Sequence, residues 1–340
     1  MRCGGRWVVA AVVGLALVCA RGYAQENPLD DAHTKTKVDT APKDTRPVVA
    51  DKDVAAKATM ARGASIRVNV DLVLVPVTVT DPMNRLVTGL ERENFQIFDN
   101  NNGEKIKSFA TEDAPLSIGI VFDLSGSMQE KFSRARKALT AFLRTCNPLD
   151  EFFVVGFNDR PAIVVDYTSD VEDVEARMVM LRPQNRTALI DAMYLGVDKL
   201  RSSKYERRAL LVISDGGDNR SRYTEGELTR AVRESDVQIF AMGIFDAYAS
   251  TEEERNGPML LNDLSEVTGG KMYKCPDVER LSDVAEKISE QIRDEYVIGY
   301  TPTDRKRDGT WRKLKVRLVP PPGLPELTAH SREGYYAPSQ

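Results

Sequence analysis

Residues 117–127 read SIGIVFDLSGS, and this stretch decides how the rest of the chain is interpreted. Its first six residues are almost continuously apolar, which is typical of a central parallel strand covered on both faces. Asp123, Ser125 and Ser127 follow at every second position, where the strand ends and a helix begins. In open α/β sheets, ligands bind at this carboxyl edge. The stretch therefore predicts a doubly wound, mostly parallel sheet with a polar site beside its central strand.

Two further segments place oxygen-bearing side chains at the same predicted edge. Residues 207–214 read RRALLVIS, a second buried-strand pattern, and Asp215 follows directly. Between the two strands, Thr187 opens the helix-like run TALIDAMYLGVDKL. Hydroxyl and carboxylate oxygens are hard ligands that suit Mg²⁺, Mn²⁺ or Ca²⁺. The sequence thus predicts a divalent-cation site, with the alternative that Asp123 is only a helix N-cap.

The combination of D-x-S-x-S, a Thr and a later Asp resembles the metal-ion-dependent adhesion site of von Willebrand factor A domains. The resemblance implies a Rossmann-like fold and a bound Mg²⁺, with Mn²⁺ or Ca²⁺ as substitutes. It also implies a protein partner that completes the coordination of the ion with a Glu or Asp carboxylate. Carried over residue by residue, the ligand positions are Asp123, Ser125, Ser127, Thr187 and Asp215. The family often has Gly before this Thr, where this chain has Arg186.

The chain divides by pattern into five segments. Residues 1–24 combine a basic start, a short apolar run and a small-residue cleavage site, which predicts a secretory signal peptide. Residues 25–64 have no aromatic side chain and no sustained periodicity, which predicts a disordered linker. Residues 65–113 and 294–338 alternate as β-strands do, whereas residues 114–293 alternate strands with helices. Residues 114–293 are the predicted von Willebrand factor A domain.

The two β-rich segments are expected to form one domain. Each alone has about three strands, a marginal number for independent stability. We therefore expect a discontinuous β-sandwich-like domain into which the α/β domain is inserted. The order of the A domain, YVIGYTPT (296–303), W-x-K-x-K-V (311–316) and GYYAP (334–338) resembles exported von Willebrand factor A-related proteins of acidobacteria.

Several local patterns give more detailed expectations. Residues 95–99 and 104–109 flank Asn-Asn-Asn-Gly and predict a hairpin. The hydrophobic phase of the first β segment changes near Pro76, which predicts a bulge or an edge position. Residues 246–258 (DAYASTEEERNGP) are expected to form a loop near the site, with a helix starting near Met259. Asp191, Asp218 and Asp246 are either further neighbours of the ion or cap and loop residues.

Composition and the absence of certain motifs argue against some classes of function. Removing the signal peptide takes away three Arg and no acidic residue, so the net charge changes from −4 to −7, which argues against a nucleic-acid partner. The chain has two His and neither a GxxxxGK[ST] loop nor an HExxH motif, so we expect no enzyme. The predicted function is an exported, cation-dependent, adhesion-type protein-binding module, periplasmic or extracellular, with no transmembrane segment after cleavage. The alternatives are an envelope scaffold whose metal only stabilises the fold and, third, a metal-dependent hydrolase.

Overall fold

The computed structural model describes residues 72–111, 114–245, 252–275 and 277–339. The predicted signal peptide (1–24), the predicted linker (25–64) and the first residues of the β-rich segment lie outside these ranges. Among the described residues, no helix has the length and apolar character needed to cross a bilayer. Cys146 and Cys275 are both free thiols.

The described residues form strands and helices in the alternation that the sequence predicts. The strands are β1 (Val73–Thr80), β2 (Phe95–Asp99), β3 (Asn102–Glu104), β4 (Ile106–Ala110), β5 (Ser117–Asp123), β6 (Glu151–Phe157), β7 (Pro161–Thr168), β8 (Arg208–Ser214), β9 (Val237–Gly243), β10 (Met272–Lys274), β11 (Tyr296–Tyr300), β12 (Trp311–Leu318), β13 (Thr328–Ser331) and β14 (Gly334–Tyr336). The α-helices are α1 (Phe132–Thr145), α2 (Val171–Met180), α3 (Leu189–Leu200), α4 (Glu225–Arg233), α5 (Glu252–Thr268) and α6 (Leu281–Arg293). Short 3₁₀ turns lie at Arg92–Asn94, Gly126–Met128 and Val278–Arg280.

A six-stranded sheet forms the centre of the α/β part, in the order β10-β9-β8-β5-β6-β7. Every residue of β5 is buried, because helices cover both faces of the sheet. One apolar core packs α1, α2 and α6 on one face, and a second packs α3, α4 and α5 on the other. All neighbouring strands are parallel except β7, which runs antiparallel to β6 at the edge. The predicted doubly wound, mostly parallel fold is confirmed.

Two four-stranded antiparallel sheets pack around a third apolar core, in the orders β13-β1-β11-β4 and β14-β12-β2-β3. Each sheet takes strands from both ends of the described chain. The first β-rich segment supplies β1–β4, and the second supplies β11–β14. The predicted fold class, an α/β sheet inserted in a discontinuous β-sandwich-like unit, is therefore confirmed.

A buried carboxylate joins the two sheets of the sandwich. The hydroxyls of Tyr300 in β11 and Tyr335 in β14 both donate to Oδ2 of Asp99 in β2, each at 2.9 Å. Asp99 is 5% exposed, so these hydrogen bonds replace the water that its charge would otherwise bind. Tyr300 belongs to the YVIGYTPT motif and Tyr335 to the GYYAP motif, so both motifs supply hydrogen bonds within the sandwich core.

The first β segment differs from the prediction in its turn. The hairpin exists, but its turn is Asn100–Asn101, with φ of 46° and 69°, and the returning strand is the short β3. Asn tolerates the positive φ that a two-residue hairpin turn requires at both central positions. After Lys105 the chain crosses to the other sheet, where β4 pairs with β11. Pro76 pairs with Val297 of β11 on one side only, because β13 ends opposite Val77, and the β1–β11 register is unbroken.

The expectation of a loop up to Pro258 and a helix starting near Met259 is wrong. Helix α5 begins at Glu252 and contains Pro258. Pro258 is the seventh residue of α5, beyond the four N-terminal donors that lack a helical partner, so it removes one backbone hydrogen bond from the helix. Residues 246–251 lie outside the described residues.

The junction between the α/β part and the sandwich contains a fully buried acid. Glu295 follows α6, and its carboxylate accepts from Gln238 Nε2 at 2.8 Å and from Arg207 Nη2 at 3.4 Å. The Arg207 guanidinium also donates to the carbonyls of Ala114 and Ile292, both at 2.8 Å, so its charge is shared. Burial raises the pKa of Glu295 to about 7, because it outweighs the opposing effect of Arg207.

The raised pKa of Glu295 predicts a pH-dependent stability. Between the ordinary pKa of 4.5 and about 7, the unfolded chain releases a proton that the folded chain keeps, so the free energy of unfolding falls as pH rises. The fall is at most about 1.4 kcal/mol per pH unit, or roughly 3 kcal/mol in total. Glu295→Gln should remove this part of the pH dependence. Urea unfolding at about pH 5 and about pH 8 measures the free energy of unfolding of the unchanged protein and of the variant. The same change between the two pH values in both proteins would contradict the prediction.

The strand order predicts how the first β segment responds to truncation. A chain that ends at Arg293 lacks β11–β14, so β1 loses both neighbours and β4 loses its partner. We expect proteases to cut residues 72–111 in this truncated chain while the α/β part resists. The full-length chain is the control. Continued protection of residues 72–111 in the truncated chain would show that the two segments do not depend on each other.

Candidate metal centre

Asp123 ends the central strand with no exposed surface. Its Oδ1 accepts the backbone N–H of Ser125 at 2.8 Å, and its Oδ2 accepts the hydroxyl of Ser214 at 2.6 Å. The two bonds come from the ends of β5 and β8, which are neighbours in the sheet. They fix the carboxylate at the point where the strand order reverses, the crevice in which open α/β sheets bind ligands.

The two predicted serine ligands lie beside Asp123. Their hydroxyl oxygens are 3.0 Å apart and hydrogen-bond to each other. Ser125 is almost completely buried, whereas Ser127 is exposed within the Gly126–Met128 turn. The alternation of D-x-S-x-S thus places one hydroxyl inside the site and one at its mouth.

Asp215 is the second carboxylate of the site and is 5% exposed. Lys131 Nζ lies 3.8 Å from Asp215 Oδ2 and also donates to the carbonyl of Ile244 at 3.3 Å. Burial raises the pKa of Asp123 to about 7, and the nearby charge of Asp215 adds to the rise. The hydrogen bonds from Ser125 and Ser214 oppose the rise without cancelling it.

Thr187 reaches the site on a loop that is fixed by backbone hydrogen bonds. The N–H of Gly126 donates to the carbonyl of Asn185 at 3.1 Å, and that of Gln184 donates to the carbonyl of Leu124 at 2.7 Å. Asn185 has a φ of 71°, a conformation that Asn tolerates better than most residues. We call residues 184–188 the hub loop. The bonds to residues 124 and 126 hold Thr187, which is 6% exposed, beside the D-x-S-x-S turn.

The hub loop is also bound to the loop after β8. The N–H of Asn219 donates to the carbonyl of Thr187 at 3.0 Å, and the N–H of Thr187 donates to Oδ1 of Asn219 at 3.2 Å. The structure therefore brings the segments that carry all five predicted ligands to one edge of the sheet. Their assignment as metal ligands stays a prediction.

The additional acids have structural partners. Asp218 accepts the N–H of Ile190 at 2.8 Å and the hydroxyl of Ser221 at 2.6 Å, so it caps the start of α3, whose own N-cap residue is an alanine. Asp191 accepts the N–H groups of Arg222 and Tyr223. These contacts are those of cap residues, the alternative left open by the sequence. Asp246 lies outside the described residues.

Two glycines let α5 approach the turn after Asp215. Gly216 has a φ of 83°, and a Cβ built on Gly257 would lie 2.2 Å from the carbonyl oxygen of Gly216. No side chain fits at that distance. Gly257 therefore allows the first turns of α5 to press against Asp215-Gly216-Gly217 and support this side of the site.

The donor chemistry of these residues fits a hard divalent cation. Asp215 lies close enough to Asp123 for its charge to raise the pKa of Asp123. Within the described site, Lys131 is the cationic group that offsets the negative charge of the two carboxylates. Hydroxyl and carboxylate oxygens are the ligands that Mg²⁺, Mn²⁺ and Ca²⁺ prefer. Nowhere among the described residues do three or more His, Cys, Asp or Glu side chains group as a metal site, so a cation here would depend on hydroxyl ligands. Asp123, Ser125, Ser127, Thr187 and Asp215 would hold it.

Sequence reasoning missed two members of the site. Ser214 donates to Asp123 and also accepts the N–H of Gly216 at 3.0 Å, so it orients both acidic segments. A polar residue at the end of an otherwise apolar strand was the available signal. Lys131 carried no comparable signal, because its approach to Asp215 depends on the path of the chain before α1.

Histidine is absent from the part of the site that the structure describes. His330 lies in β13 of the sandwich, where its ring nitrogen is 2.9 Å from the hydroxyl of Thr80. The hydroxyls of Ser125 and Ser127 instead pair with each other. Among the described residues, no imidazole lies beside either serine.

Residues 118–217 match the family model of the von Willebrand factor type A domain. The chain contains a von Willebrand factor type A domain. The match spans β5 through the Asp215-Gly216-Gly217 turn and so includes all five predicted ligand positions. No curated protein matches the chain. The resemblance to exported acidobacterial proteins stays a prediction.

Solved structures of low sequence identity are similar to this A-domain protein. One is BatB from Bacteroides thetaiotaomicron, with 14% identity, a TM-score of 0.42, and coverage of 52% of this chain and 98% of that one. A second is a von Willebrand factor type A protein from Catenulispora acidiphila, with 12% identity, a TM-score of 0.46, and coverage of 77% and 73%. A third is proximal thread matrix protein 1 from the mussel byssus, with a zinc-occupied MIDAS motif, 15% identity, a TM-score of 0.47, and coverage of 57% and 49%.

The predicted ligands can be tested by metal binding. Asp123→Ala should abolish Mn²⁺ binding, because it removes the carboxylate at the centre of the site. Ser127→Ala leaves the hydrogen bonds of Asp123 intact and should weaken Mn²⁺ binding by about tenfold or more. Isothermal titration calorimetry measures both, with the exposed Asp198→Ala as a matched control. Unchanged Mn²⁺ affinity in both site variants would show that the ion binds elsewhere.

Proposed function

We propose that this chain is an exported, adhesion-type protein-binding module that needs a divalent cation, held by the five predicted ligands, to bind its partner. The observation that carries the proposal is the buried carboxylate pair of Asp123 and Asp215, opening to solvent at the exposed Ser127. The protein would partly neutralise a cation held there, while one side of the ion remained accessible from solvent.

The ligand set favours a carboxylate as the completing group. Ser125, Ser127 and Thr187 are neutral, so the cation would keep part of its positive charge and attract an anionic oxygen. A Glu or Asp side chain of another protein supplies such an oxygen. The bound ion would contribute Lewis acidity and a coordination position, and the protein's own residues would fix its place and exclude water from Asp123. Mg²⁺ is the proposed ion, with Mn²⁺ or Ca²⁺ as substitutes.

Export is proposed from the sequence of residues 1–24, which has the pattern of a signal peptide. It agrees with a chain whose mature form has a net charge of −7 and offers no general attraction for nucleic acid. The proposed location is the periplasm or the cell exterior.

The proposal predicts that partner binding depends on the cation. Immobilised protein should capture partners from cell-envelope extract in Mg²⁺, and excess chelator should abolish the capture. Ser125→Ala and Thr187→Ala should lose the same partners, because each removes a neutral ligand while the fold is kept. The exposed Ser202→Ala serves as the matched control, and circular dichroism reports the fold.

The same experiment separates adhesion from a scaffold role. If the metal only stabilises the fold, chelator should lower the melting temperature and leave the captured proteins unchanged whenever the protein is still folded. Capture that persists in excess chelator with an intact fold would contradict the proposed function and direct attention to the sandwich.

A further inference from the structure

Three exposed arginines stand around Thr187 on the carboxyl edge of the sheet. Arg186 directly precedes Thr187 in the hub loop, Arg160 lies in the β6–β7 connection, and Arg220 lies in the loop after β8. We call Arg160, Arg186 and Arg220 the arginine rim. They come from three separate loops, so no local sequence pattern reveals them as a group.

Hydrogen bonds to the hub loop bring Arg160 close to Arg186. The N–H of Arg186 donates to Oδ1 of Asp159 at 3.1 Å, and the N–H of Ala188 donates to the carbonyl of Asn158 at 2.8 Å. Arg160 is therefore one residue away from a direct partner of Arg186.

Arg220 is held beside the hub loop in the same way. Its neighbour Asn219 exchanges two hydrogen bonds with Thr187, at 3.0 and 3.2 Å. The N–H of Arg220 itself donates to Oδ1 of Asp218 at 3.3 Å. All three arginines thus extend from backbone that is fixed around the predicted metal ligand Thr187.

The guanidinium groups of the rim have no partner within the residues that the structure describes, neither a hydrogen bond nor an ion pair. Some other exposed arginines of the α/β part do have one: Arg144 pairs with Glu175, and Arg177 pairs with Asp173. Asp159 and Asp218, which are close to Arg160 and Arg220 in sequence, direct oxygens to backbone N–H groups. The rim charge is therefore available to a ligand outside the chain.

We propose that the arginine rim makes the metal site select an acidic segment of a partner protein. One carboxylate of that segment would complete the cation, and neighbouring carboxylates would pair with Arg160, Arg186 and Arg220. This inference rests on the proposed function. Arg is suited to the role because its planar guanidinium binds a carboxylate through two parallel hydrogen bonds.

Charge supports a local acidic partner over an extended polyanion. The chain has a net charge of −4, so the rim is a positive area on an acidic protein. Fields between exposed charges are screened beyond about 8–10 Å at physiological salt, and the rim therefore acts only on groups near the cation. A segment with clustered carboxylates places its charge in that range, whereas a long polyanion also meets the acidic remainder of the surface.

Two labelled peptides test the proposal on the full chain. Each has one central Asp; the flanking positions are Glu in the acidic peptide and Gln in the neutral peptide. Fluorescence anisotropy in Mg²⁺ should show tighter binding of the acidic peptide, by about tenfold at low ionic strength. Added salt should remove most of this difference.

Matched triple variants identify the residues responsible. Replacing the three rim arginines by Gln should remove the preference for the acidic peptide and leave both binding of the neutral peptide and Mn²⁺ affinity unchanged. The control removes the same charge elsewhere, at three exposed arginines outside the rim: Arg201→Gln, Arg230→Gln and Arg305→Gln. It should keep the preference.

The outcomes distinguish this proposal from the one on which it rests. Equal, Mg²⁺-dependent binding of both peptides that the rim variant does not change would overturn the role of the rim and leave the proposed function standing. Failure of both peptides to bind in Mg²⁺ would overturn both. Tighter binding of a single-stranded DNA oligonucleotide of equal charge, lost in the rim variant, would show that the rim recognises phosphates and would overturn the acidic segment.

Discussion

The structure of the site depends on a carboxylate placed where water cannot reach it. Asp123 has no exposed surface and lies beside a second acid, Asp215. An ionised carboxylate in that position is stable only if donors and positive charge surround it. The available donors are the N–H of Ser125 and the hydroxyl of Ser214, and the nearest cationic group, Lys131, is 3.8 Å from Asp215. A bound divalent cation would supply the missing charge.

Backbone hydrogen bonds explain how loops can form so well-defined a site. The hub loop receives or donates bonds to residues 124 and 126, to residues 158 and 159, and to residue 219. Most of these bonds join main-chain atoms, so they fix loop positions whatever side chains the loops carry. The predicted ligands and the arginine rim therefore share one framework. A site built this way is organised before a ligand arrives, which lowers the entropic cost of binding.

The sequence predicts well the strands and the edge of the sheet at which the candidate ligands lie, because these signals are local. A continuous apolar run such as that of β5 has few alternatives to a buried strand, and the residue after it must lie at the sheet edge. The start of α5 was misjudged because Gly257-Pro258 is usual at a helix end, although here Gly257 permits contact with Gly216. Lys131 and the rim escaped detection because their neighbours belong to distant segments. Which loops meet is decided by packing of the whole sheet.

The two ends of β8 contact different parts of the molecule. The proposed binding face lies at one end of this strand and the sandwich at the other. Arg207 precedes the strand and contacts the buried Glu295 at the junction, whereas Asp215 follows the strand at the predicted metal site. Seven residues of β-strand lie between them, a distance of about 20 Å. The sandwich therefore packs against the amino end of this strand, and the carboxyl edge points away from it. The proposed approach of a partner to the carboxyl edge therefore requires no strand of the sandwich to move.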